Sequence, residues 1–175
     1  MRKLITILIH LFIIFFLVVF EITFVKLFPL PFNFLGIILP VIIYLVVIFG
    51  LNLGLWWAVF AGFFLDFYSL LPFGTIALAL VITAFCIHYL FINLFTNRSL
   101  YSLLFLGFVG TLMYKMIIFG ISFFPLLFNK GHQLYYLDFN LVKITFASIV
   151  LNLLFLSALF YLTNMFSKRL KPTYV

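Results

Sequence analysis

Six apolar runs, each about the length of a membrane span, follow one another along this chain with few charges between them. They cover residues 4–27, 34–51, 53–70, 73–95, 100–128 and 141–166. A helix crossing a bilayer needs about 20 apolar residues, within a range of about 17–25. A membrane strand needs only about 9–11 and alternates polar with apolar, which these runs do not. The pattern therefore predicts an all-α, polytopic membrane bundle of six transmembrane helices, forming one integral membrane domain over residues 1–175. The breaks fall at Pro29 and Pro31, at Gly50, Asn52 and Gly54, at Pro72, at Thr96-Asn97-Arg98-Ser99, and in a polar stretch over 129–140. Composition closes off the alternatives. Of 175 residues, 68% are hydrophobic and 7% charged, whereas an ordinary soluble domain is about half apolar and about a quarter charged. Much of a small soluble domain must face water, so a soluble enzyme, a disordered tail and a secreted disulfide scaffold are excluded.

The chain opens Met1-Arg2-Lys3 and turns apolar at once, as a signal peptide does. The run is too long for a cleaved apolar region of about 7–15 residues, and no small-x-small site follows, so it is expected to stay as the first span. The formal net charge is +7. Because the basic residues sit mostly at segment ends, they point to topology and anionic lipid rather than nucleic acid. Six helices put both termini on one side of the membrane. With that side cytoplasmic, Arg2, Lys3, Arg98, Lys168, Arg169 and Lys171 lie inside, and Lys26, Lys130 and Lys143 outside. The bias favours an N-in, C-in orientation. Trp56 and Trp57 are then expected at the inner interface, and Tyr135 and Tyr136 at the outer one, in an amphipathic loop.

Charges inside spans are informative, because each costs several kcal/mol in lipid unless paired or wetted. Glu21 falls roughly 9–10 Å from the outer end of the first helix, Asp66 roughly 6 Å from that of the third, and Lys115 roughly 16–20 Å from that of the fifth, at 1.5 Å per residue. A lysine stem can snorkel outward. A buried polar cluster of Glu21, Asp66 and Lys115 is therefore expected, serving as a register-fixing ion pair, a ligand or proton site, or a partner contact. Asp66 has a local alternative. Pro72 and Gly74 mark a tight turn, and a carboxylate there can accept the free N–H groups at the start of the fourth helix.

Small residues mark close helix contacts, since lipid supplies no hydrophobic drive between helices. Gly50, Gly54, Ala58, Ala61 and Gly62 form one such row; Gly107 and Gly110, and Ala147, Ser148, Ser157 and Ala158, form others. His10, His88 and His132 share no metal-ligand spacing, and no paired-carboxylate spacing, phosphate-cradling glycine loop or nucleophile elbow occurs. Cys86 is the single cysteine and reads as a packing residue. Neither catalysis, a cofactor nor a metal is expected.

The stretch Gly62-x-x-x-Asp66, then Ser69, then Pro72-Phe73-Gly74 and an Ala/Leu-rich helix resembles the MreD family of bacterial rod-shape-determining membrane proteins. Their corresponding stretch commonly reads G-L-L-x-D-x-x-S-x-x-P-L-G. The motif match is confined to about residues 58–90, with Phe73 in place of the usual small aliphatic residue; length, span count and basic tail fit over the whole chain. The resemblance implies a non-enzymatic scaffold of the cell-elongation machinery in the bacterial plasma membrane. It would bind MreC and act with MreB, the RodA glycosyltransferase and a penicillin-binding transpeptidase in peptidoglycan synthesis. The alternative is the substrate-binding subunit of an energy-coupling-factor transporter, also small and six-helical. Those subunits typically carry Ala-x-x-x-Ala on the first helix, and this first run contains no alanine.

Overall fold

The computed structural model describes residues 2–30, 32–95, 98–128 and 139–166; residues 129–138, with Tyr135 and Tyr136, and the basic residues after 166 lie outside them. The fold is an all-α bundle: α1 (Arg2–Thr23), α2 (Ile38–Phe49), α3 (Leu51–Asp66), α4 (Thr75–Leu94), α5 (Leu100–Phe128) and α6 (Phe139–Phe166), with no strand among the described residues. Two 3-10 turns, Val25–Leu27 and Phe32–Phe34, link α1 to α2. Among the described residues, four segments are long and apolar enough to cross a membrane: Ile5–Leu27, Thr75–Leu94, Leu100–Ile121 and Lys143–Met165.

The second helix is shorter than the apolar run that contains it, and the third starts two residues before its run and ends at Asp66. α2 has 12 residues and α3 has 16. At 1.5 Å per residue α2 is roughly 18 Å long, well under the ~30 Å hydrocarbon core. Phe34 closes a 3-10 turn and Gly36 stays outside the helix, so α2 begins only at Ile38. At its other end Gly50 takes φ 99° and donates its N–H to Leu45 O at 3.2 Å. Glycine reaches that conformation without a Cβ clash, so the chain reverses there directly into α3.

α2 is nonetheless the centre of the molecule. Ile38, Leu39, Ile42, Ile43, Val46 and Val47 are all buried, and α2 packs against α3, α4, α5 and α6. A helix apolar on every side must be covered on every side, and here neighbouring helices do most of that. α1 is peripheral. Its buried Ile14, Val18 and Glu21, followed by Val25, recur every three to four residues, one stripe of a helical face. Ile5, Leu8, Phe12 and Phe16 face outward, as lipid-facing side chains would.

Much of these rows of small residues lies at internal contacts: Ala58, Ala61 and Ser148 are buried, whereas Gly50 meets open space and Ala158 is exposed. A Cβ on Gly54 would strike Val46, one on Gly62 would strike Ala77, one on Gly107 Leu156, and one on Gly110 Ile43 and Ile87. These pairings straddle the intervening turns, so each helix from α3 to α6 runs antiparallel to its predecessor. The Glu21 end of the bundle therefore also holds the α3–α4 turn, and the Gly50 turn lies at the opposite end. Of the two tryptophans, Trp56 is exposed and stacks on Phe60, whereas Trp57 is buried with its ring edge-on to His10.

Candidate functional site

Both carboxylates at the Glu21 end of the bundle are bound to the starts of helices. Asp66, the last residue of α3, accepts the Ile76 amide at 2.9 Å on Oδ1 and the Ala77 amide at 3.1 Å on Oδ2. Helix starts leave about four N–H groups without partners, and a side-chain oxygen from the N-cap residue usually serves one of them. The N-cap of α4 is Gly74, at φ 93°, which has no side chain to offer. Asp66 supplies it from the preceding helix. Its negative charge also faces the positive end of the α4 dipole. This is the local role open to Asp66 from its sequence position.

The other motif residues complete one hairpin. Gly62 lies one turn before Asp66, and its missing side chain lets the Ala77 backbone approach. Pro72 O accepts from both the amide and the hydroxyl of Thr75, at 3.1 and 2.6 Å. Ser69 donates its amide and its hydroxyl to Asp66 O, each at 3.3 Å. Phe73 meets Phe63 and Phe67 edge-on, with ring centroids 5.3 and 5.4 Å apart, and Phe63 meets Phe67 at 4.9 Å. The larger residue at 73 thus has an aromatic pair to pack on, within the usual range for favourable ring contacts.

Glu21 repeats the arrangement at α2. Its Oε2 accepts the Ile38 amide at 2.8 Å. The adjacent Gly36 amide donates to Oδ1 of Asn152, on α6, at 3.1 Å. A second tie between α2 and α6 runs from the Tyr44 hydroxyl to Thr163 Oγ1 at 2.7 Å. A buried backbone N–H without a partner costs roughly 1–3 kcal/mol, so Glu21 and Asn152 are what let α2 begin inside the bundle. The sequence reading missed Asn152 and Tyr44. A lone Asn in an apolar run was the available signal, since such a residue in lipid is expected to face a polar partner.

The expected three-residue cluster does not form as a bonded unit. Among the described residues, no hydrogen bond or ion pair joins Lys115 to Glu21 or to Asp66. The physical reason is that each carboxylate is already held by backbone amides, which carry no desolvation penalty of a second buried charge.

Elsewhere, the His10 ring takes a 2.8 Å hydrogen bond with Thr6 O. His88 Nδ1, Trp57 Nε1 and Asn33 Oδ1 are buried polar atoms without a partner. Among the described residues no three of His, Cys, Asp and Glu gather in a way that would hold a metal ion. No protein-family model, no curated protein and no solved structure matches the chain.

Proposed function

We propose that the chain is a non-enzymatic scaffold of the bacterial cell-elongation machinery, similar in role to MreD proteins. In this reading it lies in the plasma membrane with both termini cytoplasmic. It holds a bitopic MreC-type partner and, through it, MreB, RodA and a penicillin-binding transpeptidase. The observation that supports the reading is the α3–α4 hairpin. Gly62, Asp66, Ser69, Pro72 and Gly74, the residues shared with the MreD pattern, all serve one structural unit. A second consideration is that both buried carboxylates bind backbone amides, an arrangement suited to rigidity. A rigid bundle presenting fixed faces is what a scaffold needs.

The test is affinity purification from a mild detergent with mass spectrometry, paired with depletion in a rod-shaped host. Co-purification of a single-span coiled-coil protein of the MreC type, together with rounding of depleted cells, is the expected result. A bound vitamin-sized molecule in the purified chain, with unchanged cell shape on depletion, would replace the scaffold by a transporter subunit.

A further inference from the structure

We propose that the transmembrane helix of a partner protein packs along the exposed face of α5 and sets a carboxylate against Lys115. Lys115 lies one residue past the midpoint of the 29-residue α5. A helix of that length is roughly 43 Å long. With its middle in the hydrocarbon core, Lys115 sits near the midplane, roughly 15 Å from either headgroup layer. Tyr101, Phe105, Phe108, Leu112, Met116 and Phe119 recur along α5 every three or four residues, and all but the half-buried Leu112 are exposed. They form one stripe, roughly 27 Å long over 101–119. Lys115 follows Phe108 by seven residues and precedes Phe119 by four, so it joins that stripe, half-buried.

A charge on a lipid-facing stripe at this depth is costly unless something pairs with it. Among the described residues no hydrogen bond or ion pair forms on Lys115. Glu21 is taken by the Ile38 amide, and Asp66 by those of Ile76 and Ala77. The one other acid in the chain, Asp138, precedes α6. Gly107 packs against Leu153 and Leu156, so in antiparallel register Lys115 lies level with residues 146–147. Phe139, where α6 begins, is roughly 10 Å further along, beyond the reach of a lysine stem. The opposite charge must therefore come from outside the chain. A second copy does not bring it, because its Glu21 and Asp66 are buried and bound in the same way. Nor does an anionic lipid, whose phosphate stays in the headgroup layer. A membrane helix with Asp or Glu near its middle covers the apolar stripe and neutralises the lysine, where the low dielectric makes such a pair strong. The contact rests on the scaffold reading for the existence of a bitopic partner.

The test uses a designed single-span probe, a leucine helix of about 20 residues with one Glu at its centre, and the same helix with Gln there. Each is labelled and reconstituted with the full chain in phosphatidylcholine vesicles, and fluorescence energy transfer reads association. The wild type should bind the Glu helix about five- to thirtyfold more tightly than the Gln helix, the range for a strong polar contact between membrane helices. Lys115→Gln should remove that preference and Lys115→Arg keep it. Because the lysine is unpaired in the chain alone, Lys115→Met should leave the melting temperature of the isolated chain unchanged or raise it. Equal binding of the two probes by the wild type, a preference that survives Lys115→Gln, or a lowered melting temperature in Lys115→Met would overturn the contact. Phosphatidylglycerol added to the vesicles should leave the preference intact; its loss would assign Lys115 to an anionic lipid instead. None of these outcomes touches the scaffold reading, which stands or falls with co-purification and depletion.

Discussion

Gly62 and Ala77 meet backbone to backbone: a methyl group on Gly62 would overlap the Cα of Ala77. One turn later Asp66 accepts the Ala77 amide at 3.1 Å. The same short stretch of α4 is thus gripped twice by α3, once by shape and once by charge. The two grips depend on each other, because the carboxylate reaches the amides only if the helices are this close.

The contact separates two glycine substitutions that look alike in sequence. A Cβ at Gly62 meets backbone atoms of Ala77, whereas one at Gly107 meets the far ends of Leu156 and Leu153, at 2.9 and 3.1 Å. Side-chain ends move; backbone does not. Gly62→Ala should lower stability by roughly 1–3 kcal/mol, as overpacking of a close contact does, and Gly107→Ala by under about 1 kcal/mol. Apparent melting temperatures in one detergent decide the matter. Equal effects would show that α3 and α4 are not so closely apposed.

Asp66 should respond to substitution in graded fashion. Asp66→Ala leaves the Ile76 and Ala77 amides without their acceptor and should cost roughly 2 kcal/mol. Asp66→Asn keeps one carbonyl oxygen and should cost about half as much, since Asn and Asp are comparable caps. Thermal unfolding followed by circular dichroism measures both. If Asn proves as damaging as Ala, charge rather than hydrogen bonding holds the hairpin.

Gly74 and Gly120 should move stability in opposite directions when replaced by alanine. Gly74 sits at φ 93°, where a Cβ is strained by roughly 1–2 kcal/mol. Gly120 lies in the interior of α5 with open space around its Cα, where alanine gains roughly 0.5–1 kcal/mol over glycine. The same melting measurement on the two variants checks the sign of each.

Helix content, and the bounds of the later helices, were legible because length and breakers determine them. The run over 100–128 coincides with Leu100–Phe128, and α6 starts two residues before the run that marks it. The start of α2 was not legible. Phe34 to Ile37 are apolar except for Gly36 and continue the run, but whether they are helical depends on where the Gly36 amide finds an acceptor. That acceptor, Asn152, is 116 residues away. The role of Asp66 could be read because its partners follow within 11 residues, across a turn marked by Pro72 and Gly74. Glu21 reads as part of an ion pair because Lys115, its stem snorkelling outward, falls near the same depth. Its actual partner, a backbone amide, leaves no mark in a sequence.

The start of α2 should behave as one cooperative unit. Glu21 holds Ile38 N from α1, and Asn152 holds Gly36 N from α6, two residues apart in the chain. Replacing either by alanine leaves an amide without its partner, buried at Ile38 and half-buried at Gly36, at up to roughly 1–3 kcal/mol. The second loss should be smaller than the first. Once Glu21 is gone the segment can shift to find another acceptor, and the Gly36–Asn152 bond then no longer has its geometry. Glu21→Ala combined with Asn152→Ala should therefore fall short of the summed single effects by about 0.5–3 kcal/mol, the range seen for residues sharing a network. Glu21→Gln, which keeps a carbonyl oxygen for Ile38, should stay closer to the wild type than Glu21→Ala. Strict additivity in this cycle would mean that the two bonds support α2 independently, and that the α1–α2 link is not the single brace this geometry describes.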